Sequence, residues 1–420
     1  MALYIPCMAE RNLQITENQN YGCIQCGRCC RRFHVLMSED EAERIARLLK
    51  SRPNDLPTEF VTRIKGRPYF ARRPNGACVF LDEETGYCRM HSLFGFRQKA
   101  LSCRGYPINI ASTFEGEASA VARMDCPAVQ QDAGEPLTSR REEIRGLARE
   151  LGLNFEFSRR ELEGMNREAV AMVCGVLLEL LQDRTLPSPG AKAWALHDLV
   201  VRLEKVREFA GDLETLAEVL PNLRRQACDE AQQRPAACLG WFGRATFRAW
   251  LGACLRRDTE LVKPGIGPRV QRVWAMLRTT AGFGSFRPLG WEHPDSCLRR
   301  CSVFGAQSDA SANDAWRAYW RLLISRIETL QFFGVSYYEE PFFVGLKALA
   351  LTYPLVLAAA RHHSRSRGAD CIEEQDVHYG VGAIDHTLGR SPLLQFGMWR
   401  TVESFFFARW GKLQNGLGWE

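Results

Sequence analysis

The beginning of the chain lacks the features of a secretory signal, which starts with a basic segment and continues with about 7–15 apolar residues. The run Met1–Glu10 contains neither Lys nor Arg. The predicted location is therefore the cytoplasm, a compartment in which thiols stay reduced. We accordingly interpret the 16 Cys residues as metal ligands and buried free thiols rather than as a disulfide framework.

Patterns for binding nucleic acids and nucleotides are scarce. The net charge of +6 is small for 420 residues, and no dense basic run carries interleaved aromatic residues, so no nucleic-acid partner is predicted. Gly265 and Gly267 follow a Lys-Pro pair without a preceding strand, which favours a turn over a phosphate-binding loop. After Cys297 and Cys301, position 304 is Phe, so the C-x3-C-x2-C pattern of radical enzymes is absent.

Long apolar runs are also rare. Phe342–Ala360 is mostly apolar, but Lys347 and Pro354 interrupt it. A membrane-spanning helix needs about 20 predominantly apolar residues. We therefore interpret this run as a buried helix of a helical domain and expect no membrane partner.

Cysteine, in contrast, is abundant near the start of the chain. Cys23, Cys26, Cys29 and Cys30 lie within eight positions. Thiolates at this density repel one another, and the usual reason for gathering them is a metal that prefers sulfur ligands. The predicted metal ligands are these four residues and four cysteines at wider spacing: Cys78, Cys88, Cys103 and Cys126.

The spacing of the first cysteines favours an iron–sulfur cluster. Cys23, Cys26 and Cys29 have the C-x2-C-x2-C spacing of bacterial ferredoxins, in which a remote cysteine followed by proline completes a ligand set of a four-iron (4Fe-4S) cluster. Cys126 precedes Pro127 in the same way. Zinc is the alternative metal, because four-cysteine zinc sites use the same ligands, although a zinc ribbon normally has two separated C-x2-C steps.

The doublet of Cys29 and Cys30 predicts more than one metal position. Neighbouring side chains of an extended segment point to opposite sides, so we expect the two thiols to serve two centres or two irons of one cluster. Eight cysteines supply at most two four-thiolate sites. The second site would combine Cys30 with Cys78, Cys88 and Cys103.

Three further residues are candidates for a role beside the thiolates. His91 follows Cys88 by three positions and is a candidate ligand or a candidate hydrogen-bond donor to a cluster sulfur. Arg28 and Arg104 are candidates for neutralising thiolate charge, with simple solvation as the alternative.

The remainder of the chain offers only general signals. Tyr337–Pro341 and Arg361–His363 either line a pocket or form a polar loop and a basic helix end. Cys7 has no local partner. Five other cysteines are predicted to be small buried residues: Cys174, Cys228, Cys238, Cys254 and Cys371.

The fold is predicted to be mostly α, with a small irregular cysteine-rich metal-binding module followed by a larger α-helical domain. The expected boundaries are 1–130 for the module and 140–420 for the helical domain, with a further split near 263–310 as an alternative. Between the two, residues 131–139 have the composition of a linker.

Local patterns predict individual elements. Ser38 and Glu41 form a capping box ahead of an amphipathic helix. Short strands are expected around Cys78–Leu81 and Ala118–Arg123, and a turn at Asp82–Gly86. Apolar residues at three-to-four spacing predict helices over Arg140–Leu151, Ser158–Asp183, Ala191–Val219, Asn313–Phe333, 341–364, 373–390 and 396–410, and 280–310 is expected to be a long loop.

The cysteine pattern resembles that of the YkgJ family of cysteine-cluster proteins, whose mark is CxxCxxCC. Cys23–Cys30 carries this mark. Later blocks are similar to the family's C-x-F-L…G-x-C-x-I-H, C-R-x-[FY]-P and closing C-P signatures; they are Cys78–Leu81 with Gly86–His91, Cys103–Pro107 and Asp125–Pro127.

This resemblance implies a zinc- or iron-chelating module. The broad grouping includes flagellin lysine-N-methylases, which are similar to this chain in size and layout. That similarity implies a protein lysine methyltransferase with S-adenosylmethionine as cofactor. Our leading hypothesis is a cytoplasmic iron–sulfur protein whose helical domain binds another protein or a substrate; the alternatives are this methyltransferase and a structural zinc module on an interaction protein.

Overall fold

A computed structural model describes residues 12–51, 57, 59–114, 117–152, 162–186, 188–206, 212–233, 241–255, 267, 270, 274, 277–278, 280–281, 313–391, 394–395 and 397–408. The chain forms two compact units. The first covers Met1–Ile110 and Gly116–Phe155, and the second covers Ala111–Glu115 and Glu156–Glu420. A small strand-containing region near the N-terminus and a larger helical part confirm the predicted mostly α fold class.

Short elements dominate the N-terminal part. The strands are β1 (Asn12–Ile15), β2 (Asn20–Tyr21), β3 (Val61–Ile64), β4 (Arg67–Phe70), β5 (Ile108–Ser112), β6 (Glu117–Ala122) and β7 (Glu135–Pro136). The helices are α1 (Arg28–Arg32), α2 (Glu39–Lys50), α3 (Arg89–Phe94), α4 (Leu101–Gly105), α5 (Pro127–Gln130) and α6 (Arg141–Glu150).

A parallel strand pair organises the cysteines. β1 and β6 are parallel neighbours, with Asn12 opposite Glu117, and β5 lies on the other side of β6. Parallel neighbours require a crossover connection, and here the crossover carries the candidate cysteines from Cys23 to Cys103. Cys126 follows the end of β6. The two parallel strands end at the same edge of the sheet, so the segment that leads to Cys23 and the segment that leads to Cys126 begin side by side.

The predicted capping box at α2 is confirmed. The Ser38 hydroxyl accepts from the Glu41 backbone N–H at 3.1 Å, and the Glu41 carboxylate accepts from the Ser38 backbone N–H at 2.9 Å. The apolar face of α2 buries Ile45 completely. This face belongs to one hydrophobic cluster of buried residues: Met37, Ala42, Ile45, Leu49, Phe60, Phe70, Cys78, Phe80, Met90 and Ala100.

The strand predicted around Cys78–Leu81 is wrong. Cys78 and Leu81 form only isolated bridges, and the Leu81 N–H closes a turn on the Cys78 carbonyl at 3.0 Å. The turn buries Phe80 and Leu81 together, whereas successive side chains of a strand point to opposite faces. The turn at Asp82–Gly86 is confirmed by its closing hydrogen bond of 2.9 Å, and β6 confirms the strand predicted at Ala118–Arg123.

Residues 131–139 are not a linker. Within this segment β7 pairs with β2 in antiparallel register. The Leu137 N–H donates to the Gln19 carbonyl at 2.9 Å, and the Leu137 side chain is fully buried. Gly, Pro and polar residues suit a tight edge pairing as well as a linker, so composition alone did not separate the two.

The second unit is built from long helices. They are α7 (Arg167–Gln182), α8 (Pro189–Val206), α9 (Leu213–Gln233), α10 (Trp241–Leu255), α11 (Arg317–Glu328), α12 (Phe342–Ala350), α13 (Thr352–Ser366), α14 (Glu374–Thr387) and α15 (Gly397–Ala408). These helices confirm the helical periodicity predicted over most of the chain beyond Arg140. The predicted helix of Ala191–Val219 is instead two helices, α8 and α9. The long loop expected at 280–310 falls almost entirely outside the described residues.

Helix starts in this unit follow side-chain caps. The Ser188 hydroxyl accepts from the Ala191 N–H at 3.1 Å, and Pro189 and Gly190 belong to the first turn of α8. A proline is tolerated there because the first helical N–H groups lack partners inside the helix. In the same way, the Asp212 carboxylate accepts from the Thr215 N–H at 3.1 Å at the start of α9.

The long apolar run is part of a helical core. Phe342–Ser366 is long and apolar enough to cross a membrane by length and composition, and 89% of its most apolar window is buried inside the structure. Leu351 separates α12 from α13, and Pro354 lies in the first turn of α13. This burial is what a core helix shows, in agreement with the predicted buried helix.

A buried carboxylate joins α13 to α14. Asp376 is fully buried and lies 2.5 Å from Nδ1 of His363. Arg367 donates to both Asp376 oxygens, at 3.0 and 2.8 Å. Burial by itself would raise the pKa of Asp376, but the hydrogen bonds from His363 and Arg367 hold that pKa below its usual value.

Asp376→Asn is expected to lower the free energy of unfolding by about 2–4 kcal/mol at pH 7, because it removes the fully buried negative charge that pairs with His363 and Arg367 and leaves Arg367 only its exposed partner Glu373. A carboxyl group with a lowered pKa stabilises the fold above its unfolded-state pKa of about 4 and loses this effect as the pH falls through the folded-state pKa. Urea unfolding of both proteins at pH 7 and pH 3 would measure the difference.

The matched control is Asp370→Asn. Asp370 is exposed, so this change is expected to alter stability by less than about 0.5 kcal/mol. If the difference in the free energy of unfolding between wild type and Asp376→Asn is as large at pH 3 as at pH 7, ionised Asp376 is not the stabilising group.

Candidate metal centre

All eight predicted ligands belong to the first unit. They are not equally accessible. Cys23 and Cys26 are exposed, Cys29, Cys30, Cys88 and Cys103 are half-buried, and Cys78 and Cys126 are buried.

The first cysteine run changes from a loop to a helix at Gly27. Gln25 and Gly27 have positive φ values of 58° and 64°, and this left-handed conformation favours glycine. Gly27 precedes α1, so Cys29 and Cys30 lie on a helical turn rather than in an extended segment.

The expectation that the sulfurs of Cys29 and Cys30 point apart is therefore wrong. Their Sγ atoms are 4.0 Å apart and share a hydrogen bond. This bond from Cys30 lowers the pKa of Cys29 to about 7 and raises the pKa of Cys30. One proton is thus readily lost from the pair, which suits a thiolate ligand.

Backbone contacts join the first run to the block at residues 78–88. The Cys78 N–H donates to the Cys30 carbonyl at 2.9 Å. Gly86 has φ +72°, and a Cβ added there would lie 2.2 Å from the Gln25 carbonyl oxygen. Only glycine permits this approach, so Gly86 holds the loop between Cys23 and Cys29 against the turn that precedes Cys88.

A buried carboxylate joins the first run to the later blocks. The Tyr106 hydroxyl donates to Asp125 at 3.1 Å, and Arg32 donates to the Asp125 carbonyl at 3.3 Å. The Phe33 and Tyr106 rings lie 4.9 Å apart, and the Arg123 guanidinium lies over both. This network places α1, the Cys103–Pro107 block and the residue before Cys126 side by side.

Four of the cysteines share one apolar environment. Cys78 belongs to the hydrophobic cluster beneath α2, and Cys30, Cys88 and Cys103 pack against it. Burial raises the pKa of Cys78 to about 11 and also raises that of Cys103. The thiols of Cys78 and Cys88 contribute to the raised pKa values of both Cys30 and Cys103, as expected for sulfurs that lie near one another.

Three of the other four cysteines lie close enough to Tyr21 to influence its hydroxyl. Burial raises the pKa of Tyr21, and the neighbouring thiols of Cys23, Cys126 and Cys29 raise it further. Burial raises the pKa of Cys126 to about 12. The Cys29 thiol makes a small contribution to the raised pKa values of Cys126, Cys78 and Cys103 alike.

The sulfurs are too widely spaced for one ion as they stand. Among the described residues, no three Cys, His, Asp or Glu donors are close enough to hold a single metal ion. In a tetrahedral zinc site with Zn–S bonds of about 2.3 Å, the sulfurs would be about 3.8 Å apart. The Cys29–Cys30 distance approaches this value, but no third described donor joins the pair closely enough.

Lys99 is a positively charged side chain near the candidate ligands, and it was not predicted from the sequence. Burial would lower its pKa, but the nearby thiols of Cys103 and Cys88 and the Cys29–Cys30 pair raise it. A lysine directly before an Ala-Leu pair gives no local signal of this role. Asp125 was also missed, although its position next to Cys126 was a visible clue.

The three charged candidates from the sequence have different surroundings. Burial raises the pKa of Cys26; a hydrogen bond from the Arg28 backbone lowers it, and the Arg28 guanidinium lowers it to a smaller extent. Arg104 instead forms an ion pair with Glu150, because α4 and α6 are neighbours. His91 is exposed and its ring packs edge-on against Phe96 at 5.7 Å.

The remaining cysteines are mostly buried, as predicted. Cys174, Cys228 and Cys254 are buried. Cys371 is exposed, contrary to the prediction, because it lies in the loop before α14. Cys7 and Cys238 lie outside the described residues.

Gly86→Ala is expected to reduce the bound metal per chain to less than about half, because the new Cβ would displace the Gln25 carbonyl and the loop that carries Cys23 and Cys26. Metal content after purification would be measured by elemental analysis. Gly66→Ala is the matched control, since Gly66 has φ +80° but nothing lies within 4 Å of an added Cβ. If both variants lose the same amount of metal, the close approach of Gly86 to the Gln25 carbonyl is not what holds the cysteine loop in place.

A comparison with known protein families gives a match in the cysteine-rich part of the chain. The family model CxxCxxCC, described as a proposed zinc- or iron-chelating domain, matches residues 22–127. No curated protein and no solved structure matches the chain. The matched segment contains all eight candidate ligands, and it confirms the predicted CxxCxxCC resemblance. Residues 22–127 are therefore a domain of the CxxCxxCC family.

Proposed function

We propose that the eight cysteines hold iron–sulfur clusters of the four-iron type in a cytoplasmic protein, and that the helical unit recognises a protein partner or a substrate. The observation that carries the proposal is the gathering of eight cysteines into one unit, three of them at the C-x2-C-x2-C spacing of ferredoxins. The family description supports metal binding by zinc or iron.

The donor set fits such a cluster chemically. All eight donors are sulfur atoms, the ligands that iron–sulfur clusters use. The hydrogen bond from Cys30 lowers the pKa of Cys29 to about 7, which favours a thiolate at this position. Bound iron–sulfur clusters supply one-electron transfer, and the chain's own residues would hold the cluster, exclude water and set the local charge.

The C-x2-C-x2-C spacing of Cys23, Cys26 and Cys29 along the chain favours a cluster over a single zinc ion. A zinc ribbon normally has two separated C-x2-C steps. A structural zinc module is the alternative, which metal analysis separates from the proposal.

Two cluster positions agree with the environment of the sulfurs. One set consists of Cys30, Cys78, Cys88 and Cys103, which share the hydrophobic cluster under α2. The other set consists of Cys23, Cys26, Cys29 and Cys126, three of which surround Tyr21. The two sets come closest at Cys29 and Cys30, whose Sγ atoms are 4.0 Å apart.

Cations near the thiols support the charge balance that a cluster needs. Four thiolates bring four negative charges, which burial makes costly unless they are compensated. Lys99 lies near the thiols of the first set, and Arg28 lies near Cys26 of the second. Both cations would stabilise the thiolate form and favour the reduced cluster.

Methyl transfer from S-adenosylmethionine to a protein lysine stays a prediction. It rests on the similarity to flagellin lysine-N-methylases in size and layout. Calorimetry with S-adenosylmethionine would test it independently of the metal, since the methyltransferase hypothesis requires binding of this cofactor.

Protein purified without oxygen is expected to be brown, with visible charge-transfer absorption, and to contain iron and acid-labile sulfide in equal amounts. Electron paramagnetic resonance of the dithionite-reduced protein would identify the cluster type. A colourless protein with stoichiometric zinc would overturn the proposal.

Single Cys→Ser changes distinguish two clusters from one. With two clusters, Cys103→Ser and Cys23→Ser are each expected to lose about half of the iron, because each removes a ligand of only one four-thiolate site. Cys371→Ser is the matched control for the exposed Cys23, since Cys371 is also exposed but lies in the second unit. Complete iron loss in both ligand variants, with none in the control, would indicate one shared cluster.

A further inference from the structure

Two ligands of the second proposed set lie at the surface of the first unit. Cys23, Ile24, Gln25 and Cys26 form a run of four exposed residues. The other two ligands of this set are less accessible, since Cys29 is half-buried and Cys126 is buried. A molecule in solution therefore reaches half of the ligands of the second set without any opening of the fold.

The first proposed set, in contrast, has no exposed ligand. Cys78 is buried, and Cys30, Cys88 and Cys103 are half-buried. All four belong to the hydrophobic cluster under α2 or pack against it, so exchange of these ligands would require apolar side chains to leave that cluster. Lys99 lies near the thiols of Cys103 and Cys88, and its charge would help to retain their thiolates.

Glycine contacts hold the exposed loop in one position. A Cβ on Gly86 would lie 2.2 Å from the Gln25 carbonyl oxygen, and a Cβ on Gly27 would lie 3.0 Å from the Leu81 side chain. The turn that leads to Gly86 is closed by a hydrogen bond from the Gly86 N–H to the Asp82 carbonyl at 2.9 Å. The loop that carries Cys23 and Cys26 and the turn before Tyr87 therefore form one preorganised surface.

Two large apolar side chains are exposed on this surface. Ile24 is 41% exposed and Tyr87 is 43% exposed. They stand directly before Gln25 and directly after Gly86, the two residues that meet at backbone contact. In the described part of the first unit, the other large apolar residue of comparable exposure is Leu151, at 40%. Exposed apolar side chains that gather at one place mark a contact surface for another protein.

We propose that the second set is an exchangeable centre, which passes its cluster to the cysteine ligands of an acceptor protein that docks on Ile24 and Tyr87, whereas the first set retains its cluster. This inference rests on the proposed function, because it requires two clusters. It adds a division of roles between them that follows from the different exposure of their ligands.

The transfer is a ligand substitution. The Fe–S bonds to Cys23 and Cys26 break as bonds to two acceptor cysteines form, and the bonds to Cys29 and Cys126 are replaced in the same way. Each acceptor thiol gives up one proton as it binds, since the thiolate is the metal ligand. Each released cysteine thiolate takes up one proton, and no electron is transferred.

Release of iron to a small chelator tests the difference between the two sets. With the iron(II) chelator ferrozine under anaerobic reducing conditions, about half of the iron is expected to leave at least about tenfold faster than the rest, because release from the first set needs local opening. Cys103→Ser, which retains the second set, should show only the fast phase. Cys23→Ser, which retains the first set, should show only the slow phase. Equal rates in the two variants would overturn the inference.

Transfer to a protein tests the docking surface. The probe is the apo form of a small four-iron ferredoxin, and its visible absorption follows the gain of a cluster. Ile24→Ser and Tyr87→Ser are each expected to slow this transfer about fivefold through loss of apolar contact. Both variants should release iron to ferrozine at the wild-type rate, since a small chelator needs no docking surface.

Leu151→Ser is the matched control, because Leu151 is equally exposed but lies at the end of α6, far along the chain from the exposed ligands. It should transfer its cluster at the wild-type rate. Equal transfer rates in wild type, Ile24→Ser and Tyr87→Ser, or no transfer at all, would overturn the docking surface.

Alkylation of the reduced apoprotein separates this inference from the proposed function. With iodoacetamide and mass spectrometry, Cys23 and Cys26 are expected to react about as fast as the exposed Cys371 and at least about tenfold faster than Cys78 and Cys103. If they react no faster than Cys78 and Cys103, the inference fails whatever metal is bound. Protein that lacks iron but shows the expected labelling would instead overturn the proposed function.

Discussion

The hydrogen bond from the Cys78 N–H to the Cys30 carbonyl, 2.9 Å long, is the contact on which the cysteine centre depends. It joins two parts of the chain that are far apart in sequence and holds their sulfurs in one neighbourhood. Gly86 and Gln25 meet beside it, and Asp125 connects the same helical turn to the later blocks. Backbone contacts of this kind fix ligand positions more firmly than flexible side chains do.

Metal ligation and the apolar core of the first unit are closely linked. Cys78 is a member of the hydrophobic cluster under α2, and three other candidate ligands pack against that cluster. A change in the position of these thiols would therefore also disturb the packing of Ile45 and Phe80. In small units with short elements, the free energy of metal binding contributes directly to the free energy of folding.

Local sequence patterns predicted those elements whose stability is local. The capping box of Ser38 and Glu41 depends on residues three positions apart, and the helices around Phe342–Ser366 depend on apolar spacing along one helix. Patterns failed where distant residues decide the outcome. Residues 131–139 have a linker's composition but pair with β2, and Cys78–Leu81 forms a turn because Phe80 and Leu81 are both buried.

The sequence alone determined that eight cysteines of metal-binding type lie in the first part of the chain and that helices dominate the rest, because residue type and spacing carry this information. Only the tertiary structure decided that Cys29 and Cys30 share a helical turn, that Lys99 lies among the thiols, and that Cys23 and Cys26 are exposed on a loop held against the turn before Tyr87. These features depend on contacts between segments far apart in the chain, and such contacts follow from packing and backbone geometry that no local pattern records.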